Sequence, residues 1–129
     1  MKKNPMVEKA ENAAEKVMGH RFRHGCVIEK NGKVISTGFN KKVNHPILLS
    51  FGYKNKWPHA ESDAILRAWK MNKSLKGAHL LVVRKSKNKL SNSKPCSCCL
   101  KFMIAAGISE VSYSTKSGTI EKKTIGKNG

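Results

Sequence analysis

The sequence predicts a single α/β domain in which helices pack against a five-stranded mixed sheet. Helical and β-type apolar patterns alternate along the chain, and an Asn-Gly dipeptide joins two β-rich runs in its first third. About four residues separate the last two β-rich runs, whereas a parallel crossover needs about a dozen, so these two strands should be antiparallel. The 129 residues suffice for one hydrophobic core but not for two. We expect the core to span residues 5–124, followed by a basic tail over 125–129.

The first predicted elements are a helix and a β-hairpin. Asn4 is a typical N-cap, and Pro5 is a typical first helical residue. The apolar residues that follow at helical spacing, before the stop signal Gly19, are Met6, Val7, Ala10, Ala13, Ala14, Val17 and Met18. Residues 25–30 and 33–39 are β-rich, and the Asn-Gly dipeptide between them indicates a tight turn.

Residues 41–57 form a long connection with little periodicity, which inside a compact domain is usually functional or mobile. Aromatic residues alternate with lysines there, a composition that suits base stacking and phosphate contacts. The apolar residues 47–49 are expected to pack on the core. Tyr53 and Trp57 are expected to form walls of a substrate pocket. The alternative is that Phe51 and Trp57 only pack the loop onto the core.

The second half of the chain predicts two more helices and three more strands. The helices cover residues 60–72 and a segment from near Pro95 to the stop at Gly107. The strands cover residues 78–83, the neighbourhood of 111–113, and 119–124. Residues 84–94 are polar and basic and indicate a loop. His79 is interpreted as a strand residue and not as a metal ligand.

Two short fragments supply the side chains of a catalytic metal site. Pro58-His59-Ala60-Glu61 provides an imidazole and a carboxylate, and Pro95-Cys96-Ser97-Cys98-Cys99 provides thiols. One imidazole and two thiolates, with one position open for water, are typical of catalytic zinc. Cys96 and Cys99 are the preferred thiols, because residues three apart return to one side of a helical turn whereas Cys96 and Cys98 do not.

The cysteines do not have the distribution of a disulfide framework. Three of the four lie between positions 96 and 99, which indicates metal chemistry. Cys26, in the first predicted strand, is expected to be a buried packing residue. No apolar run approaches the roughly 18 residues of a membrane span, and the N-terminus does not resemble a signal peptide. We therefore expect an intracellular protein without membrane association.

The order His-x-Glu followed by Pro-Cys-x-x-Cys resembles the signature of the cytidine deaminase superfamily, the zinc-dependent nucleobase deaminases. The resemblance covers about residues 5–124. It implies a three-layer α-β-α fold and a zinc ion held by His59, Cys96 and Cys99. It also implies that Glu61 is the general acid and base, which takes a proton from water, protonates the ring nitrogen, and later passes a second proton to leaving ammonia.

Further candidate substrate contacts lie near these fragments. The resemblance places Asn40 at a strand end where family members contact the sugar or the base, and a turn residue is the alternative. Ala60 and Ser97, within the two fragments, are also candidates. Arg23 and His24 belong to a basic segment that is either a phosphate contact near the site or a solvated connector.

The charge balance points to a polyanionic partner. The chain has 26 Lys and Arg residues against 8 Asp and Glu, giving a net charge of +18 and a pI near 10.1. Such a surplus attracts polyanions and favours nucleic-acid contacts, although a basic surface kept for solubility would have the same composition.

Three functions fit these observations. The first is deamination of cytosine to uracil within DNA, single- or double-stranded, by a monomeric enzyme, with RNA as an alternative polymer. The second is deamination of free dCMP or cytidine in nucleotide salvage. The third is a non-catalytic, zinc-stabilised nucleic-acid-binding module. The charge favours the first over the second, and Glu61, which a structural zinc does not need, disfavours the third.

The expected antiparallel pairing of the last two strands distinguishes between branches of this superfamily. By resemblance, that arrangement belongs to free-nucleoside cytidine deaminases and to some bacterial DNA-deaminase toxins. The AID/APOBEC and tRNA adenosine deaminases place a helix between these strands and run them parallel. The predicted pair therefore argues against an adenine-specific tRNA enzyme.

Overall fold

A computed structural model describes residues 4–18, 22–54, 57–87 and 89–126. The helices are α1 (Pro5–Ala14), α2 (Ala60–Lys70) and α3 (Ser97–Ala106), and a 3-10 helix covers Pro46–Phe51. The strands are β1 (Arg23–Lys30), β2 (Lys33–Phe39), β3 (His79–Ser86), β4 (Lys89–Ser91), β5 (Glu110–Ser114) and β6 (Ile120–Thr124). Within the described part of the chain, every helix falls short of the length and apolarity needed to cross a bilayer.

The strands form one mixed sheet in the order β2-β1-β3-β5-β6. Among the strands of the described residues, only β3 and β5 pair in parallel, while β1 pairs antiparallel with both β2 and β3. The antiparallel pairing of β5 with β6 confirms the prediction from their short connection. The short β4 pairs with the end of β3 beyond the part that β5 covers. All five residues of β6 are exposed.

Helices cover both faces of this sheet, which gives the three layers that were expected. On one face, α1 closes a small cluster of buried residues comprising Ala10, Val27, Leu81 and Val83. On the other face, α2 and α3 close a larger core whose biggest buried side chains include Phe102, Ile28, Leu48 and Ile65. Cys26 is fully buried in this larger core, as predicted. His79 lies in β3, where its Nε2 is 2.7 Å from Ser112 Oγ.

Two strand glycines allow the helices to lie directly on the sheet. A Cβ atom at Gly38 of β2 would overlap the backbone nitrogen of Ala64 in α2. A Cβ atom at Gly25 of β1 would overlap the carbonyl oxygen of Ala10 in α1. The Ser36 hydroxyl adds a hydrogen bond of 2.8 Å to the Ala64 carbonyl. A glycine under α1 and a glycine under α2 therefore set how closely these two helices approach the sheet.

The predicted loop over residues 84–94 is wrong in its first part. β3 continues to Ser86 and turns back into β4 through Lys87, whose φ is +47°. Arg84 and Lys85 pair with β1 on one side and with β4 on the other. Their polar side chains resembled a loop, but backbone pairing on both sides keeps the segment in the sheet.

Two other expectations about apolar residues are also wrong. Among residues 47–49 only Leu48 is buried, because a 3-10 helix has three residues per turn and directs one of them inward. α1 ends at Ala14, so Val17 is buried outside the helix and Met18 is 85% exposed. The predicted stop Gly19 and residues 127–129 of the basic tail lie outside the described residues.

We expect Gly38→Ala to lower the free energy of unfolding by about 1–3 kcal/mol, because the new methyl group must displace α2 from the sheet. It should also weaken binding of the expected zinc ion, since α2 begins beside His59, one of the predicted ligands. Gly25→Ala adds the same methyl group under α1 and should destabilise the protein without changing zinc affinity. Denaturant titration and chelator competition measure the two quantities, and equal zinc affinities in the two variants would contradict this account.

Candidate metal centre and catalytic cavity

The N-termini of α2 and α3 lie side by side and present the candidate metal ligands. His59 is the N-cap of α2 and Cys96 is the N-cap of α3, and neither side chain caps its own helix. Both residues have extended backbones, with ψ of 172° and 167°. Cys99 lies in the first turn of α3 and is buried. The partial positive charge of helix N-termini stabilises thiolates at these positions.

The spacing of the three ligand atoms fits zinc. The Nδ1 atom of His59 is 3.3 Å from Cys99 Sγ and 3.8 Å from Cys96 Sγ. All three ligand atoms lie within 4.8 Å of one another. Tetrahedral zinc, with Zn–S of about 2.3 Å and Zn–N of about 2.0 Å, would separate a nitrogen from a sulfur ligand by about 3.5 Å. The predicted ligand atoms therefore lie at a spacing that suits this ion.

The thiols are not equivalent. Hydrogen bonds from Cys99 and then from His59 lower the pKa of Cys96 to about 3. The contact with Cys96, followed by burial, raises the pKa of Cys99. The cluster therefore carries a thiolate at neutral pH on its exposed side, where a metal ion would enter.

Glu61 lies in the first turn of α2 and faces the cavity beside this cluster. Its side chain is only 5% exposed, and burial raises the pKa of its carboxyl group. Glu61 is outside the three-residue ligand group that the described residues form. A buried carboxyl group that can hold or release a proton next to a water-accessible metal site suits general acid–base catalysis.

Tyr53 lies behind the ligands and not on the cavity wall where the sequence placed it. Its hydroxyl oxygen is 2.8 Å from Cys99 Sγ, and its ring meets the His59 ring edge-on at 5.0 Å. The side chain is 6% exposed, and burial raises the pKa of its phenol. Because a thiolate can only accept a hydrogen bond, Tyr53 would donate to Cys99 in the metal-bound protein and orient it.

A cavity of about 380 Å³ opens above the metal ligands and Glu61. The described residues that line it are His24, Asn40, Lys41, Trp57, Pro58, His59, Ala60, Glu61, Ser93, Lys94 and Cys96. Four predicted substrate contacts, Asn40, Ala60, Trp57 and His24, are in this lining. The sequence did not indicate Lys41, Ser93 or Lys94, because their place depends on how two loops fold over the helix N-termini.

Arg23 and Ser97 are outside the lining of this cavity. Successive residues of a strand face opposite sides, so Arg23 points away from the face that His24 occupies. Its Nη1 atom is 3.5 Å from Glu15 Oε2, beside α1. Ser97 is the exposed first residue of α3 and is not among the described residues that line the cavity.

Asn40 and His24 form one edge of the cavity. The Asn40 side chain accepts a hydrogen bond of 2.9 Å from the His24 backbone N–H and donates one of 3.0 Å to the Phe22 carbonyl. It therefore joins the end of β2 to the beginning of β1. Burial, and then the nearby Arg84 and His59, lower the pKa of His24 to about 4. His24 is thus neutral at physiological pH.

Asp63 is a buried residue that the sequence analysis did not single out. Its carboxylate accepts a hydrogen bond of 3.1 Å from the Phe39 backbone N–H. It also binds Lys41 at 3.1 Å and Arg67 at 3.3 Å. Asp63 therefore holds Lys41 at the edge of the cavity. The helical pattern gave no signal for it, because Asp63 lies on the side of α2 opposite the apolar stripe of Ala64, Ile65, Ala68 and Trp69.

Comparison with known proteins agrees with this geometry. Residues 1–115 match the family model described as the cytidine and deoxycytidylate deaminase zinc-binding region. The chain belongs to this family. The matched region contains His59, Cys96 and Cys99, the group in this deaminase that could hold a zinc ion. No curated protein sequence matches the chain significantly.

Solved structures of several deaminases share the fold. A cytidine deaminase from Burkholderia pseudomallei matches with a TM-score of 0.69 and 26% identity, over 97% of this chain and 94% of that chain. The dCMP deaminase of cyanophage S-TIM5 matches with a TM-score of 0.65 and 23% identity, over 87% of this chain and 81% of that chain. A Thermotoga maritima diaminohydroxyphosphoribosylaminopyrimidine deaminase and reductase matches with a TM-score of 0.59 and 25% identity. The match covers 86% of this chain and 29% of that chain. The family and these structures indicate a hydrolytic deaminase.

We expect Tyr53→Phe to reduce zinc affinity about tenfold, because it removes the hydrogen bond to Cys99 and keeps the ring in place. Competition with a zinc-sensitive chelator would measure this. Tyr113→Phe is the matched control, since the Tyr113 hydroxyl donates to Glu121 at 3.0 Å, away from the ligands. A Tyr53→Phe variant that binds zinc as tightly as Tyr113→Phe would show that the contact does not support the metal.

The lowered pKa of His24 predicts a pH-dependent stability. Between its unfolded pKa of about 6.5 and its folded pKa of about 4, the unfolded chain binds more protons, so the free energy of unfolding falls as the pH is lowered. His24→Gln should remove about 1–2 kcal/mol of the loss between pH 7 and pH 5. Denaturant titrations at both pH values, in excess zinc, measure it. His45→Gln, at a half-buried histidine outside the catalytic cavity, is the control for the loss of an imidazole, and an unchanged loss in His24→Gln would refute this prediction.

Proposed function

We propose that this deaminase converts cytosine to uracil within DNA. The observation that carries the proposal is the cationic and aromatic mouth of the catalytic cavity. Lys41 and Lys94 line the cavity, and the Lys42 ammonium lies 5.6 Å from the ring centroid of Trp57. Trp57 is itself in the lining and 42% exposed. Exposed aromatic rings beside lysines are the usual means of binding single-stranded nucleic acid.

The residues of the cavity supply the chemistry of the reaction. When bound by His59, Cys96 and Cys99, zinc would supply a water acidified toward neutral pH. Glu61 would take up a proton, deliver it to the ring nitrogen of the base, and later pass one to the leaving ammonia. Ala60 and Pro58 would confine the base, and neutral His24 can donate or accept one hydrogen bond at the opposite edge.

Positive charge continues beyond this cavity. Lys41 also lines a neighbouring cavity of about 600 Å³ with Arg67, Lys70 and Asp63, whose single carboxylate leaves a surplus of positive charge. The whole chain carries a net charge of +18, far more than a single mononucleotide requires. A base within DNA must leave its stack to enter a cavity of about 380 Å³, so single-stranded DNA is the favoured polymer, with duplex DNA and RNA as alternatives. The enzyme is proposed to act as a monomer.

A second candidate function is deamination of free dCMP or cytidine. The cytidine deaminase of Burkholderia pseudomallei supports it, because that protein is 26% identical over 97% of this chain. The size of the catalytic cavity, about 380 Å³, is also within the range of small-molecule sites. A non-catalytic zinc module is the weakest candidate, because it would not need a buried Glu61 facing the cavity.

A mass-spectrometric deamination assay tests the proposal. The zinc-loaded protein would be offered single-stranded DNA, duplex DNA and RNA that contain cytosine, beside free dCMP and cytidine. We expect conversion in DNA, with binding that weakens steeply as the salt concentration rises. Conversion of free dCMP or cytidine alone would refute a polymeric substrate and establish the second candidate function.

Glu61→Ala should abolish turnover while the protein still binds zinc, because Glu61 is outside the ligand group. The zinc content of the same preparation shows whether activity is lost because the Glu61 carboxylate is missing or because the metal is missing. Deamination by a zinc-loaded Glu61→Ala protein would exclude Glu61 from the proton-transfer role. Lys116→Gln, which removes one charge in an exposed turn, is the control for changes in charge alone.

A further inference from the structure

A further cavity of about 390 Å³ opens beside the first residues of β1. We call it the Phe22–Arg84 cavity. The described residues that line it include Glu15, Phe22, Arg23, Arg84, Lys85 and Lys87. None of these residues lines the catalytic cavity described above.

The charge of this cavity is only partly balanced. The Glu15 carboxylate is 2.6 Å from Lys85 Nζ and 3.5 Å from Arg23 Nη1, so two of the four basic side chains are paired. Lys85 Nζ is also 3.8 Å from Glu11. Arg84 and Lys87 form no ion pair with any residue in the described ranges. The cavity therefore keeps positive charge that an anionic ligand could neutralise.

Arg84 is held in place without a counter-ion. Its Nε atom is buried and has no hydrogen-bond partner among the described residues. Its guanidinium group lies 4.3 Å from the ring centroid of Phe22, which is a cation–π contact. Burying a charged donor without an acceptor is unfavourable, so this arrangement is completed when an anion approaches.

The Phe22–Arg84 cavity adjoins the catalytic cavity. Arg84 of β3 is the direct partner of His24 in β1, so both side chains are on the same face of the sheet. The Asn40 side chain donates a hydrogen bond to the Phe22 carbonyl. His24 and Asn40 both line the catalytic cavity. His24 therefore lies between Arg84 and the place where the target base would bind, and Asn40 lies between Phe22 and that place.

We propose that the Phe22–Arg84 cavity binds the nucleotide next to the target base in a polynucleotide strand. Arg84 and Lys87 contact the phosphate of that nucleotide, and Phe22, which is 48% exposed, stacks on its base. This proposal rests on the proposed function, because a free mononucleotide has no neighbour to place there. The ligand expected in this cavity is therefore a phosphodiester group next to a planar ring, which DNA and RNA both provide.

The test compares a trinucleotide with a mononucleotide. The kcat/KM values for TpCpT and for dCMP would be measured in the wild-type protein and in Arg84→Gln, Phe22→Ala, Arg84→Lys and Lys116→Gln. We expect the ratio of the two values to fall about tenfold in Arg84→Gln and in Phe22→Ala. Arg84→Lys should restore part of the ratio, because it keeps the charge but not the planar group. Lys116→Gln should leave the ratio unchanged.

Binding of TpCpT to the inactive Glu61→Ala protein supplies a second readout. The slope of log affinity against log salt should decrease by about one when Arg84→Gln is added, since one phosphate contact is lost. A wild-type preference for TpCpT that persists in both Arg84→Gln and Phe22→Ala would overturn the subsite and leave the proposed function intact. A wild-type protein with no preference for TpCpT would overturn both.

Discussion

The direct contact of α2 with β2 is the constraint on which the catalytic site depends. α2 carries Glu61 and begins at His59, so its distance from the sheet sets the position of both. The absence of a side chain at Gly38 permits the contact. The Ser36 hydroxyl and the Phe39 N–H then hydrogen-bond to α2, at the Ala64 carbonyl and the Asp63 carboxylate respectively. Polar bonds thus fix the position of a helix that steric contact alone would leave free to slide.

The metal site could be predicted from the sequence because its parts are local. Each motif fragment lies at the N-terminus of one helix, so the spacing of residues within a fragment already implies which side chains converge. Tyr53 could not be placed in the same way. The chain passes through a 3-10 helix and then Gly52, whose φ is +89°, and this turn directs Tyr53 beneath the ligands and not onto the cavity wall. That outcome depends on tertiary packing, which composition does not encode.

The strands show the same division between local and non-local information. The hairpins β1–β2 and β5–β6 were predictable, since the turn residues and the loop length between the strands limit the pairing. The extension of β3 through Ser86 was not, because its polar side chains have the composition of a loop. Pairing with β1 on one side and with β4, the next strand along the chain, on the other stabilises this extension, and the polar composition of residues 84–94 indicated neither pairing.

The exposed strand β6 has a consequence for how this basic protein behaves in concentrated solution. A strand at the edge of a sheet pairs on one side only, and its other side is a template on which a second chain can add by backbone hydrogen bonding. In β6 the sequence is Ile120-Glu121-Lys122-Lys123-Thr124, and Lys123 lies over the Tyr113 ring at 5.8 Å while Lys122 binds Glu110 at 3.0 Å. Two such edges approaching each other would bring like charges together. Lysines at this edge therefore protect the sheet from growing into an aggregate.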